Sequence, residues 1–145
     1  MEGSRWLIYA FAGAGMAAVV VVMTKHALQK LDVSIAITVQ SMLMLLTLAI
    51  ITTVKGRWST FSESPTPALL MVAGSGVVAG LAWFFGYRAL QLADVARATP
   101  IDRLSMPIAV ILAALLFQER PTLSNWAGIA LMVGGAYLVS QTSGE

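Results

Sequence analysis

Long apolar runs separated by short polar stretches cover most of the chain. Five such runs hold few or no charged residues, and they extend over residues 6–23, 34–54, 68–91, 96–117 and 123–140. A helix needs about 20 mostly apolar residues to cross the roughly 30 Å of hydrocarbon in a bilayer. The pattern therefore predicts five transmembrane helices.

Backbone hydrogen bonding decides which fold such a chain adopts, because only helices and closed β-barrels can span hydrocarbon. The five runs lack the alternation of apolar and polar residues that barrel strands show. The connections between them are short, which favours antiparallel packing of neighbouring helices. We therefore expect an all-α membrane protein in which residues 1–145 form one bundle. The connecting stretches read KHALQKLD, KGRWSTFSESPTP, LADVAR and QERPT.

The composition supports a lipid environment. Hydrophobic residues make up 58% of the chain and charged residues 11%, against roughly 25% charged in ordinary globular proteins. The chain contains no cysteine, which excludes thiolate chemistry and cysteine-based metal sites, and His26 is its one imidazole. The net charge of +2 is scattered, unlike the clustered charge of nucleic-acid-binding proteins. We expect a lipid bilayer as partner, no nucleic acid, no metal and no other cofactor.

The distribution of Lys and Arg in short loops sets the orientation of a membrane protein. Five spans place the two termini on opposite sides, and the basic residues are nearly balanced between these sides. Two outcomes are open: the chain inserts in both orientations and forms antiparallel pairs, or one or two loops fix a single topology. The side of the N-terminus carries Arg5, Lys55, Arg57 and Arg120, and the other side carries Lys25, Lys30, Arg88 and Arg97, with Arg103 if it reaches out.

Small and aromatic residues share one face of the third run. Gly76, Gly80, Trp83 and Tyr87 recur at three- and four-residue steps, so a helix places them along one face. Glycines followed by aromatics suit the wall of a cavity. The alternative is a packing seam built on the G-x-x-x-G spacing and ending in an interfacial aromatic belt.

Charged residues concentrate in the segment 87–107, next to and within the fourth run. Ionisable groups inside hydrocarbon cost several kcal/mol unless they are paired or wetted, so they are candidates for function. The segment contains Arg88, Asp94, Arg97, Asp102 and Arg103.

The residue at which the fourth helix begins determines how far Asp102 lies from the start of the helix. The sequence allows two starting points. If Thr99 caps the helix, Asp102 lies in the first turn, where the helix dipole stabilises an acid. If the helix begins near Asp94, then Asp102 and Arg103 lie two turns inside it. Pro107 then interrupts the backbone bonding near mid-membrane, and Asp102 faces a cavity.

The chain resembles the EamA domain of the drug/metabolite transporter superfamily, in particular its short, five-span, single-domain bacterial and archaeal members. The resemblance covers essentially the whole chain and is most specific over residues 83–138. Larger members carry two such domains in inverted orientation around a central cavity and export small metabolites such as amino acids or nucleotide-linked sugars. The resemblance therefore implies that this half-length chain forms an antiparallel dimer, either with an identical chain or with a second gene product. It rests on the string YRALQLADVARATPIDRLSMPIAVILAALLFQERPTLSNWAGIALMVGGAYL and on TKHAL at the end of the first run.

Two departures from the family pattern affect its implications. The family usually has Gly before the acid that ends the fourth span, where this chain has Gln118. Relatives often have Arg in the second span, where Gln40 offers an amide for neutral hydrogen bonding instead. The pattern is matched at Lys25, at residues 87–90, at Asp94, at residues 102–105, and at Glu119 followed by Arg120.

We therefore expect a transporter of small molecules in the prokaryotic inner membrane that works by alternating access as an antiparallel homodimer. No catalytic residues are expected, because no Ser–His, paired Asp or metal-ligand set occurs in the runs. Arg88 with Asp94 or Asp102 is the candidate gate, and Asp102 is the candidate for proton coupling. The competing hypothesis is a non-transporting scaffold or a subunit of a larger complex. The candidate cavity or gating residues are Gln40, Gly76, Gly80, Trp83, Tyr87, Arg88, Asp94, Asp102, Arg103, Ser105 and Pro107, and the candidate helix-end anchors are Lys25, Glu119 and Arg120.

Overall fold

A computed structural model describes residues 5–118 and 120–141, and within these ranges the chain forms seven helices and no strand. Helices α5 and α6 follow each other closely and together make one apolar span, Val95–Leu116. The described residues thus hold five candidate membrane spans, which confirms the predicted all-α membrane fold. The helices are α1 (Arg5–Leu28), α2 (Val33–Val54), α3 (Trp58–Glu63), α4 (Thr66–Leu92), α5 (Val95–Asp102), α6 (Ser105–Leu116) and α7 (Leu123–Gln141).

Two features differ from the sequence-based expectation. Helix α1 continues to Leu28, five residues beyond the end of the apolar run, because polar residues at its end do not interrupt helical hydrogen bonding. The stretch 55–67, expected to be a plain connection, contains the short helix α3. Trp58 and Phe61 stand one turn apart on α3, and both are exposed.

The ends of α2 follow from local sequence. The Asp32 carboxylate accepts a hydrogen bond from the Ser34 backbone N–H at 2.8 Å and so caps the start of the helix. At the other end Gly56 has a φ of 61°, where glycine is favoured. The Gly56 N–H donates to the Thr53 carbonyl and the Arg57 N–H to the Thr52 carbonyl, which is the Schellman arrangement.

Four threonine hydroxyl groups along α2 find their acceptors inside the helix itself. Each donates to the backbone carbonyl four residues earlier, at 2.8–2.9 Å. A hydroxyl without a partner is costly in hydrocarbon, so this bonding makes a threonine-containing span compatible with the bilayer. The residues are Thr38, Thr47, Thr52 and Thr53.

The chain divides into two compact units, the first ending at Gln91 and the second beginning at Leu92. In the first unit, α1 packs on α2. The buried side chains lie where α1 and α4 end and α2 begins, and they are Thr24, Leu28, Val33 and Leu90.

In the second unit, α5 and α6 pack against α7. The buried residues there are Ala98, Pro107 and Ala136, all of them small or compact. Small side chains let helix backbones approach closely, and this closeness drives helix association in membranes.

The fourth span is interrupted between α5 and α6. Pro107 has no N–H, so it cannot donate to the carbonyl of Arg103 as an α-helical residue would. The Met106 N–H bonds to that carbonyl instead at 3.0 Å, and the Leu104 N–H bonds to Ile101 at 3.0 Å, both with the tighter three-residue spacing. The chain therefore passes through this span as two helical pieces.

Candidate functional site

Five polar side chains of the first unit, Lys25, Gln40, Tyr87, Arg88 and Gln91, lie near one end of its helices and are called the polar cluster below. They come from the last turn of α1, the early part of α2 and the last two turns of α4. Sequence analysis selected four of them as candidates but did not select Gln91.

Tyr87 and Gln40 connect α4 to α2 directly. The Tyr87 hydroxyl donates to Gln40 Oε1 at 2.5 Å, and both side chains are half-buried. Gln40 lies seven residues after the start of α2, or about 10 Å along the helix axis. The pair thus places a neutral donor and acceptor between two apolar spans, at a depth where polar groups are rare.

Two further members of the polar cluster, Lys25 and Gln91, bind backbone carbonyls at helix ends. Lys25 Nζ donates to the Leu90 carbonyl at 2.7 Å, and Gln91 Nε2 lies 3.5 Å from the Leu28 carbonyl. The last carbonyls of a helix lack partners within it, and a cation there also stabilises the helix dipole. These contacts join the ends of α1 and α4.

Arg88 is exposed, and its Nη1 donates to Gln91 Oε1 at 2.6 Å, one turn further along α4. Gln91 therefore accepts from Arg88 while its amide nitrogen faces α1. A gate formed by Arg88 with Asp94 or Asp102 stays a prediction.

The face of α4 predicted from the glycine spacing is open along its glycine half. A Cβ added at Gly76 or Gly80 would meet nothing within 4 Å. Further along the same face Trp83 and Tyr87 are half-buried. The glycines therefore do not form a packing seam within the first unit.

The start of α5 follows the second of the two alternatives for the fourth span. The helix begins at Val95, with Asp94 as its exposed, extended N-cap residue. Pro100, which would be the first helical residue if Thr99 were the cap, lies inside α5. Asp102 is the last residue of α5 and is exposed, so its role in gating or proton coupling stays a prediction.

A groove lies between α5 and α7 in the second unit. It has a volume of about 330 Å³, which is within the usual range for small-molecule sites. Arg103, half-buried at the break between α5 and α6, is its charged lining residue, and Asp102 does not line it. The other lining residues are Pro100, Leu104, Leu131, Met132, Gly135, Ala136 and Val139.

Two further candidates lie at the break and two beyond α6. Ser105 is the exposed first residue of α6, and Pro107 is buried. Arg120 is exposed, and Glu119 lies outside the described residues. Whether Arg120 anchors a helix end stays a prediction.

Gln118, the first departure from the family pattern, has a φ of 55°. This is the left-handed region that glycine enters readily and other residues enter at a cost. The backbone conformation at this position therefore explains why the family usually has glycine there.

Within residues 5–118 and 120–141 no group of three or more His, Asp or Glu side chains is arranged to hold a metal ion. Sequence analysis missed Gln91 and the α7 wall of the groove. An amide near the end of a span was a usable signal for Gln91. No sequence signal marks the wall residues, because Leu, Met, Gly and Ala are ordinary in any span.

The fold and the polar residues within it define a multi-pass helical membrane protein. The model of the EamA-like transporter family matches residues 4–141, so the chain belongs to that family. The match and the names of its relatives point to a membrane transporter and not to an enzyme. No solved structure matches the chain with significance.

Three relatives extend this assignment. A Sinorhizobium protein described as "Uncharacterized transporter in cobO 3'region" is 33% identical over 135 residues, which are 93% of this chain and 96% of the relative. A riboflavin transporter of Brucella anthropi is 37% identical over 70 residues, 48% of this chain and 25% of that protein. A probable 4-amino-4-deoxy-L-arabinose-phosphoundecaprenol flippase subunit of Pseudomonas fluorescens is 33% identical over 87 residues, 59% and 71% of the two chains.

Proposed function

We propose that the protein transports small metabolites or drug-like molecules across the prokaryotic inner membrane, as an antiparallel homodimer that works by alternating access. The observation that carries this proposal is the Tyr87–Gln40 pair, which joins two apolar spans of a chain from a transporter family. A scaffold gains little from such a pair, because a hydrogen bond between membrane helices contributes only about 0.6 kcal/mol on average, whereas a transporter needs hydrogen-bonding groups in its pathway.

The exposure of the spans supports a dimer. In each span at most 6% of the residues in the most apolar stretch are buried within the chain, and the α4 face at Gly76 and Gly80 meets no neighbour within the first unit. A second copy that packs against this face would enclose a pathway that one chain leaves open. The near balance of Lys and Arg on the two sides favours a copy in the opposite orientation.

In this proposal the polar cluster forms part of the pathway wall. Gln40 and Tyr87 offer neutral hydrogen-bonding groups to a substrate, whereas Lys25 and Gln91 keep the ends of α1 and α4 together.

Ligand-dependent stabilisation tests transport against the scaffold hypothesis. The purified protein in detergent is heated with a panel of amino acids, nucleotide sugars and riboflavin, which is named for one relative. A ligand that binds only the folded state raises the unfolding temperature in proportion to its concentration over its Kd. Compounds that stabilise the protein are then tested for counterflow in proteoliposomes. Stabilisation with counterflow supports the proposal, and no stabilisation by any compound favours the scaffold.

We propose Asp102 as the residue that couples transport to protons, because it is the carboxylate that ends α5 at the break in the fourth span. Asp102→Asn should abolish transport driven by a pH gradient while leaving counterflow without a gradient intact. The matched control is Asp32→Asn, at the exposed N-cap of α2, where asparagine can also cap the helix. Undiminished gradient-driven transport by Asp102→Asn would remove the coupling role.

A further inference from the structure

The groove between α5 and α7 combines one cation with an apolar wall. Arg103 contributes the guanidinium, and the rest of the lining is aliphatic, sulfur-containing or backbone. Arg103 belongs to the span Val95–Leu116 and is eight residues from its start, or about 12 Å along the helix axis. A guanidinium at this depth is rare in membrane proteins and marks a functional position by default.

Arg103 has no acceptor of its own among the described residues. Its guanidinium makes no ion pair or hydrogen bond within residues 5–118 and 120–141, whereas Arg88 bonds to Gln91. Arg103 is also half-buried, so the surrounding walls limit its access to solvent. A desolvated guanidinium gains most from an anion that it can bind through two parallel hydrogen bonds, as carboxylates and phosphates allow.

The break between α5 and α6 explains why the guanidinium reaches this groove. Arg103 is the residue that caps α5, and its carbonyl is the one that Pro107 cannot bond. Small residues on α7, Gly135 and Ala136, leave the space opposite. The same interruption that divides the span therefore places a cation beside a cavity large enough for an organic molecule.

We propose that this groove binds the anionic group of the transported substrate, a carboxylate or a phosphate, and that Leu131 and Met132 of α7 contact its apolar body. The proposal rests on the proposed transport function and adds to it a substrate class, small amphipathic anions. Charge complementarity selects this occupant over a neutral molecule or a second protein helix, because either of these would leave the guanidinium without a partner.

Binding of three matched probes tests the substrate class. The protein is placed in phosphatidylcholine nanodiscs, and equilibrium dialysis measures the binding of 1-naphthoate, 1-naphthyl phosphate and the neutral 1-naphthalenemethanol above that of empty nanodiscs. The anions should bind roughly tenfold to hundredfold more tightly than the alcohol, because the free energy of a hydrogen bond to a charged group corresponds to a ratio of affinities of this size. Equal binding of the three probes would overturn the proposal.

Variants assign the preference to Arg103. Arg103→Gln should reduce the ratio of anion to alcohol affinity to about one, and Arg103→Lys should retain most of it. The matched control is Arg97→Gln, because Arg97 is half-buried on the same helix but does not line the groove. An anion preference that persists in Arg103→Gln overturns the proposal. If that variant does not fold, the probe ratios of the native protein and of Arg103→Lys decide.

Nanodiscs of different lipid composition distinguish substrate binding in the groove from the binding of lipid headgroups. A transport assay distinguishes failure of the proposed binding site from failure of the proposed transport function. No anion preference in phosphatidylcholine, together with loss of probe binding in phosphatidylglycerol nanodiscs, would assign the groove to lipid headgroups and overturn the inference. Counterflow of neutral substrates without any Arg103-dependent anion preference would overturn the inference and leave the transporter intact. An Arg103-dependent preference in a protein that transports nothing would support the binding site and contradict the proposed function.

Discussion

At the scale of single residues, the hydrogen bond between Tyr87 and Gln40 is better explained by a role in function than by a contribution to stability. Hydrogen bonds between helices in membranes contribute only about 0.6 kcal/mol on average. Such a bond is thus a weak reason to retain a phenol and an amide in two apolar spans. A role in contacting a substrate explains their presence better.

Tyr87→Phe tests this role. The free energy of unfolding should fall by only about 0.6 kcal/mol, whereas the counterflow rate should fall roughly threefold to tenfold, because a neutral hydrogen bond to substrate is lost. Thermal unfolding and proteoliposome counterflow measure the two effects. Tyr137→Phe, at an exposed position on α7, is the control and should change neither. Unchanged counterflow in Tyr87→Phe would exclude the phenol from the pathway.

Both residues of this contact were candidates in the sequence analysis, but the hydrogen bond between them was not predicted. Gln40 was selected as a departure from the family pattern, and Tyr87 because it shares a face with Gly76 and Gly80. Their pairing depends on the register of α4 against α2. This register cannot be predicted from the hydrophobicity pattern, because both spans are almost uniformly hydrophobic. The same reason explains why Arg103 was a candidate while its groove against α7 was not foreseen.

Gln118 provides a second prediction at this scale, one of stability. Gln118→Gly should raise the free energy of unfolding by about 0.5–1 kcal/mol, because the left-handed backbone at φ 55° costs glutamine more than glycine. Thermal unfolding in detergent measures the change. Gln29→Gly, in an exposed turn without positive φ, should give no gain. Equal effects of the two substitutions would contradict this explanation.

At the scale of helices, hydrophobic length was the informative signal. All five runs became spans, since about 20 apolar residues have few alternatives to a transmembrane helix. The exact ends depended on local chemistry, such as the Asp32 cap and Gly56. The break before Pro107 belonged to one of two open alternatives. A proline shows which backbone hydrogen bond is missing, but it does not show at which residue the helix begins. Helix α3 was too short for any periodic signal.

The open face of α4 gives the prediction at this scale. Gly80→Leu should reduce the dimer fraction roughly tenfold, because a bulky side chain prevents close approach of a second helix. The chain's own fold should tolerate the change, since nothing lies within 4 Å of the added Cβ. Gly74→Leu is the control, because Gly74 is equally open but lies on another face of α4. Light scattering in detergent measures the dimer. Equal dimer fractions in the two variants would contradict packing through this face.

At the scale of the whole molecule, membership of the EamA-like transporter family supports a membrane transporter, and the antiparallel homodimer is our proposal for its assembly. The near balance of basic residues on the two sides is compatible with this arrangement. It could not decide between dual and fixed topology, because a single loop can determine the orientation. The two possibilities differ in which surfaces face outward, and chemical labelling can observe this directly.

Labelling of single cysteines is the most direct test of the antiparallel homodimer, and the native chain contains no cysteine. Gln29→Cys and Ser59→Cys lie at exposed positions beyond opposite ends of α2, a helix of 22 residues, or about 33 Å. Intact cells are treated with a membrane-impermeant maleimide before and after permeabilisation. We predict that at each position one fraction of the protein reacts from outside and the rest only after permeabilisation. Exclusive labelling of one position from outside and of the other from inside would contradict the antiparallel homodimer.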